Sequence, residues 1–104
     1  MGSGNFIITQ ENVPAVIKLT VQGRLDSINA VELDRQLQTI KCDGQTHVVL
    51  NMSMVEYLSS NGIRVILKAY KAVKAAGGKF GIEEPSECVK NVLGLVALNE
   101  MLIA

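Results

Sequence analysis

Tryptophan is absent from the 104 residues, and two phenylalanines and two tyrosines make up the whole aromatic content. With 48% of the chain apolar, a core must be aliphatic, built from Val, Ile, Leu, Ala and Met, and the length suits one domain. Histidine occurs once, at His47, and the two cysteines, Cys42 and Cys88, lie far apart. They form no CxxC or Cys/His ligand set, which argues against a metal site or a disulfide framework and fits reduced thiols in a cytoplasmic protein. No sign of charge is in excess: ten basic residues balance ten acidic ones. Without a basic cluster, nucleic acid is not an expected partner. Neither a leader-like start nor an apolar run of membrane-spanning length is present, so no membrane partner is expected. Met1-Gly2-Ser3-Gly4 reads as a cloning remnant or disordered start, and residues 5–104 as a single domain.

Familiar catalytic signatures are missing too. His47 directly precedes an apolar strand, a place where a lone histidine is more often structural or solvent-facing than catalytic. A thiolate enzyme would need Cys42 or Cys88 to be exposed and reactive, and neither position advertises that. The serines are not set in GxSxG. No GxGxxG or GxxxxGK[ST] is available to cradle a nucleotide, since Gly77-Gly78 follows a helical pattern instead of opening one. These absences favour a binding module over an enzyme, with no cofactor.

What remains is an alternation of strand and helix patterns. Phe6 to Gln10 and Ala15 to Val21 read as strands, joined through Asn12-Val13-Pro14 as an antiparallel hairpin, with Gly23 closing the second. Asp26-Ser27 offers helix caps, and Ala30, Leu33, Leu37 and Ile40 recur at helical spacing, predicting a helix from about residue 28 to about residue 40. The continuous apolar run from Val48 to Met52 reads as the middle strand of the sheet, covered on both faces. Ile63, Ile66, Leu67, Tyr70 and Val73 mark a second helix, which Gly77-Gly78 ends. Lys79 to Ile82 predicts a short strand, and Pro85-Ser86-Glu87 opens a third helix that Gly94 ends. Met101-Leu102-Ile103 suits either an edge strand or a packed tail. The fold class is α/β, a mixed sheet of four to five strands with helices packed against it.

The residues that most need explaining are Ser59 and Ser60, at the start of the second helix. A helix N-terminus exposes unpaired N–H groups and the positive end of the peptide dipoles, so a serine there can cap the helix, and a phosphate there would be stabilised. Both readings stay open on spacing alone. The same holds for Asp26, a helix cap or Asx turn by position.

Three stretches together resemble the STAS domain, the family of bacterial anti-sigma factor antagonists, over about residues 6–103. They are Gly23-Arg24-Leu25-Asp26, Val48 to Met52 with Tyr57-Leu58-Ser59-Ser60-Asn61-Gly62 running on to Val65, and Gly77-Gly78-Lys79-Phe80. The resemblance implies a STAS-like sheet and a partner-switching protein that binds an anti-sigma factor with serine-kinase activity. Phosphorylation of the serine two residues before the glycine would inactivate it, and a serine phosphatase would restore it. That serine is Ser60, with Ser59 as the fallback. Many antagonists carry an aspartate immediately before the phosphoserine, and here Ser59 stands in that place. Asp26, Ser59, Ser60, Asn61, Gly62 and Arg64 would form the partner-binding surface. The alternative is a non-phosphorylated STAS scaffold or small-ligand-sensing domain, in which the serines only cap the helix.

Overall fold

A computed structural model describes residues 6–40 and 44–95. The chain runs β1 (Ile7–Val13), β2 (Val16–Leu25), α1 (Ser27–Gln38), β3 (His47–Leu58), α2 (Ser60–Ala75), β4 (Lys79–Glu83) and α3 (Glu87–Leu95). The four strands form one sheet in the order β1-β2-β3-β4. β1 and β2 make the expected antiparallel hairpin, while β2, β3 and β4 run parallel to one another. The hairpin turns on Pro14-Ala15, with Ala15 at a φ of 67°; proline followed by a positive φ is the pattern of a type II turn.

The core is aliphatic, as the composition requires. Leu19 and Val21 of β2, Ala30 and Leu33 of α1, Val48, Leu50 and Met52 of β3, Ile66 of α2, Ile82 of β4 and Val89 and Leu93 of α3 are buried in one cluster. Two of the rare aromatics meet there edge to face, Tyr70 and Phe80, with ring centroids 5.9 Å apart. At the end of α2, Gly77 takes a φ of 88°, its N–H donates to Lys74 O, and the Gly78 N–H donates to Val73 O. This pair of bonds satisfies the last carbonyls of the helix and needs a residue free to adopt a positive φ.

Three sequence expectations are corrected. Gly23 does not close β2: the strand passes through it to Leu25, with Gly23 buried at a φ of 108°. Nor does the middle strand stop at Met52, because β3 continues to Leu58. Both differences have one cause. The β2–β3 register slips between Thr20 and Gln22 and again between Gly23 and Arg24, so that β3 spends an extra residue at each place. Such bulges break the two-residue alternation, and the burial of β3 beyond Met52 falls on Val55 and Leu58 only. A three-residue spacing does not look like a strand. Finally, α3 runs through Gly94 to Leu95. Met101-Leu102-Ile103 lies outside the described residues, as does Cys42.

Val48 to Met52 are all buried, as expected of a strand covered on both faces, and the second face of β3 is partly polar. Val49 and Asn51 alternate onto it, and Lys18 of β2 reaches across to Glu83 of β4, Nζ to Oε2 at 2.6 Å. Asn51 donates to the same carboxylate at 3.1 Å. The hydrogen bond from Lys18 holds the Glu83 carboxyl below its ordinary value of 4.5, and that bond with the Glu83 charge holds the lysine above 10.5. Glu83 therefore contributes stability above its unfolded value, which is lost as pH falls through the lowered one; Lys18 contributes below 10.5, and that is lost as pH rises through the raised one. Glu83→Gln is expected to lower the urea midpoint near neutral pH and to match the parent at about pH 2. A deficit unchanged by acid would show that the ion pair contributes nothing.

Candidate functional site

The strands β2 and β3 end side by side, and at that edge each feeds a helix. Asp26 caps α1, its Oδ1 accepting from the Asn29 N–H at 2.8 Å. Ser59 caps α2, its Oγ accepting from the Gly62 N–H at 3.1 Å. Ser59 also donates through both its N–H and its Oγ to Leu25 O, at 3.0 and 2.9 Å. One carbonyl at the end of β2 thus ties down the start of the neighbouring helix. In parallel α/β sheets, this carboxyl edge is where binding sites are commonly built.

The two serines, Ser60 the preferred candidate by resemblance and Ser59 the fallback, differ sharply here. Ser59 is 9% exposed, with its hydroxyl occupied both as donor and acceptor. Ser60, the first residue of α2, is exposed. Of the two, Ser60 is open to solvent, while Ser59 takes the capping role. Ser59→Ala is expected to cost about 1–2 kcal/mol of stability through the lost cap, read as a lower thermal midpoint. A protein of unchanged stability would deny the cap its role.

The remaining expected site residues separate by burial. Gly62 is buried, and a Cβ built on it would lie 2.9 Å from Leu58 Cδ1 and 3.0 Å from Leu25 Cγ. Its part is to let α2 start close against the ends of β2 and β3. Asn61 and Asp26 are half-buried, and Arg64 is exposed one turn beyond Ser60. Asn61 and Arg64 line a groove of about 310 Å³ with Ser27 and Val31 of α1.

Sequence reasoning missed the apolar surroundings. Ile28 is 80% exposed and Val31 56%, side by side on α1, and Met54 and Tyr57 of β3 are also exposed. Arg24 lies over the Tyr57 ring at 4.4 Å from its centroid, a contact that orders a charged and an aromatic side chain together. A signal existed: Ile28 and Val31 fall out of step with the Ala30, Leu33, Leu37 stripe, so an amphipathic helix cannot bury them. Among the described residues no group of three or more His, Cys, Asp or Glu could hold a metal. Nor is any described helix long and apolar enough to cross a membrane.

Comparison with known proteins points the same way. The sequence profile of the STAS domain matches residues 7–103. Over 85 residues the chain is 28% identical to BtrV of Bordetella bronchiseptica, a candidate anti-sigma factor antagonist, covering 82% of this chain and 73% of that one. It is 24% identical over 102 residues to the anti-sigma F factor antagonist of Paenibacillus polymyxa, covering 94% and 85%. The structure of the anti-sigma factor antagonist SpoIIAA in its unphosphorylated form superposes with a TM-score of 0.77 at 16% identity, over 93% of this chain and 86% of that one. The phosphorylated form of the Bacillus SpoIIAA matches with a TM-score of 0.76, at 16% identity and over 93% and 89%. The strand order, the paired helix starts and the matched profile lead to one conclusion: this chain belongs to the STAS domain family.

Proposed function

We propose that this protein is an anti-sigma factor antagonist, a partner-switching regulator with no catalytic activity of its own. Its unphosphorylated form binds an anti-sigma factor that is also a serine kinase; phosphorylation of Ser60 ends that binding, and a serine phosphatase restores it. The observation that carries this reading is the exposed Ser60 hydroxyl, set beside a buried, fully bonded Ser59. The names of the relatives support the binding function, and the existence of SpoIIAA in both phosphorylated and unphosphorylated forms supports the switch.

In the transfer step, the Ser60 Oγ attacks the γ-phosphorus of ATP held by the partner. The bond to the β,γ-bridging oxygen breaks, ADP leaves, and the serine proton passes to a base or phosphate oxygen on the partner's side. This chain supplies position. The Ser59 cap holds the first turn of α2, and Ile28, Val31 and Tyr57 offer apolar surface of the kind that anchors an interface. Asp26, Asn61 and Arg64 supply polar groups around it.

The decisive experiment is incubation with ATP and a serine-kinase anti-sigma factor from the same genome, followed by mass-spectrometric mapping. Phosphate is expected on Ser60, with Ser60→Ala binding the partner but taking up none. Phosphate on Ser59, or none in a complex that forms, would overturn the switch. One observation favours a second reading, a ligand-sensing STAS domain. An apolar cleft of about 320 Å³ opens between α1 and α2, lined by Leu37, Ile40, Val48, Ala69 and Val73. In that case Ser60→Ala would leave regulation unchanged.

A further inference from the structure

Among the described residues β1 is an outermost strand of the sheet, and its backbone is laid out to take another strand. A two-residue turn separates Val13 from Val16, so these flanking residues must exchange both of their hydrogen bonds. Pairs then alternate down the ladder: Val13, Glu11, Thr9 and Ile7 turn their backbone groups toward β2, while Asn12, Gln10 and Ile8 turn theirs outward. Those outward groups have no partner among the described residues.

Among the described residues, most of the usual protections of an edge are missing from this one, the single charge of Glu11 excepted. Edge strands are commonly kept apart by lysine, proline, a bulge or shortness. β1 has seven residues, IITQENV, without lysine or proline, and its register with β2 is unbroken from Ile7 to Val13. The opposite edge, β4, is five residues long and begins with a lysine. On β1, moreover, Ile7 is 49% and Val13 56% exposed.

We infer that β1 pairs with β1 of a second copy, antiparallel about a two-fold axis through Gln10, joining two sheets into one. This inference is independent of the partner-switching reading. The register follows from the sequence of the strand. About that axis Gln10 faces Gln10, Ile8 faces Asn12, Thr9 faces Glu11, and Ile7 faces Val13. The outward backbone groups then meet in about six hydrogen bonds. The two exposed apolar residues fall opposite each other in a non-hydrogen-bonded pair, where side chains approach most closely. The lone acidic residue of the strand, Glu11, is set against a threonine and not against itself. Such an interface is isologous, as closed dimers require. It is also small, so association should be weak and concentration-dependent.

Sedimentation of the full chain from micromolar to millimolar concentration is expected to show a reversible monomer–dimer equilibrium. Ile7→Lys with Val13→Lys places like charges opposite each other at both ends and is expected to abolish the dimer. Ile7→Glu with Val13→Lys places opposite charges there and is expected to keep it. Both variants alter exposed side chains, and circular dichroism checks that each is folded. A monomeric parent at millimolar concentration overturns the inference, as does a dimer that survives the Lys/Lys variant or one lost equally in both variants.

Discussion

Phosphorylation of Ser60 is expected to weaken binding to the kinase partner about a hundredfold, with the domain still folded. A phosphoserine brings about one and a half to two negative charges at neutral pH. Left uncompensated in a desolvated interface, a charge costs about 3–5 kcal/mol, and every 1.4 kcal/mol is about tenfold in affinity. A hundredfold is therefore a modest expectation. Within the free domain the same group is well placed, because Ser60 is the first residue of α2. The helix dipole favours an anion there by about 0.3–1 kcal/mol, and Arg64 follows one turn later, an orientation that favours an acid–base pair. Calorimetric titration of partner into phosphorylated and unphosphorylated protein measures the loss, and thermal unfolding of both forms checks the fold. Ser60→Asp should show a smaller loss, having one charge, and Ser60→Ala none. Equal affinity of the two forms would remove phosphorylation as the switch.

Gly62→Val is expected to cost about 3 kcal/mol of stability, toward the upper end for overpacking a closed site. The added Cβ would meet Leu58 Cδ1 at 2.9 Å and Leu25 Cγ and Cδ2 at 3.0 and 3.1 Å. Leu25 is 0% and Leu58 4% exposed, so either leucine can yield only by repacking within the core. Gly62→Ala is the finer test, because alanine is intrinsically a better helix former by about 1 kcal/mol. The clash is expected to outweigh that gain and leave it less stable than the parent. Both leucines belong to the ends of β2 and β3, so relief without repacking them requires α2 to move outward from the sheet. That movement would stretch the bond between Ser59 Oγ and the Gly62 N–H and displace Ser60. Urea unfolding and the rate of Ser60 phosphorylation should therefore fall together. A Gly62→Ala protein as stable as the parent would show that α2 is not seated as described.

Local chemistry is legible in the sequence. Asp26 and Ser59 are short polar residues in front of apolar helical stripes, and each is found capping its helix. The glycine pair at Gly77-Gly78 ends α2, because a positive φ suits glycine whatever the rest of the chain does. The hairpin, the order of elements and the aliphatic core follow from patterns read over a few residues at a time. The ends of β2 and β3 do not, since two bulges between strands far apart in sequence decide which residues of β3 turn inward.

That two serines open a helix is written in the order of residues along the chain, whereas which of them faces solvent depends on how the strands pack. A cap is a contact over three residues, as from Ser59 to Gly62. The bond that buries the Ser59 hydroxyl spans 34 residues, to Leu25. No local pattern encodes that distance. Ser60 is exposed because β2 and β3 end side by side, where a single carbonyl on one holds the residue before it on the other.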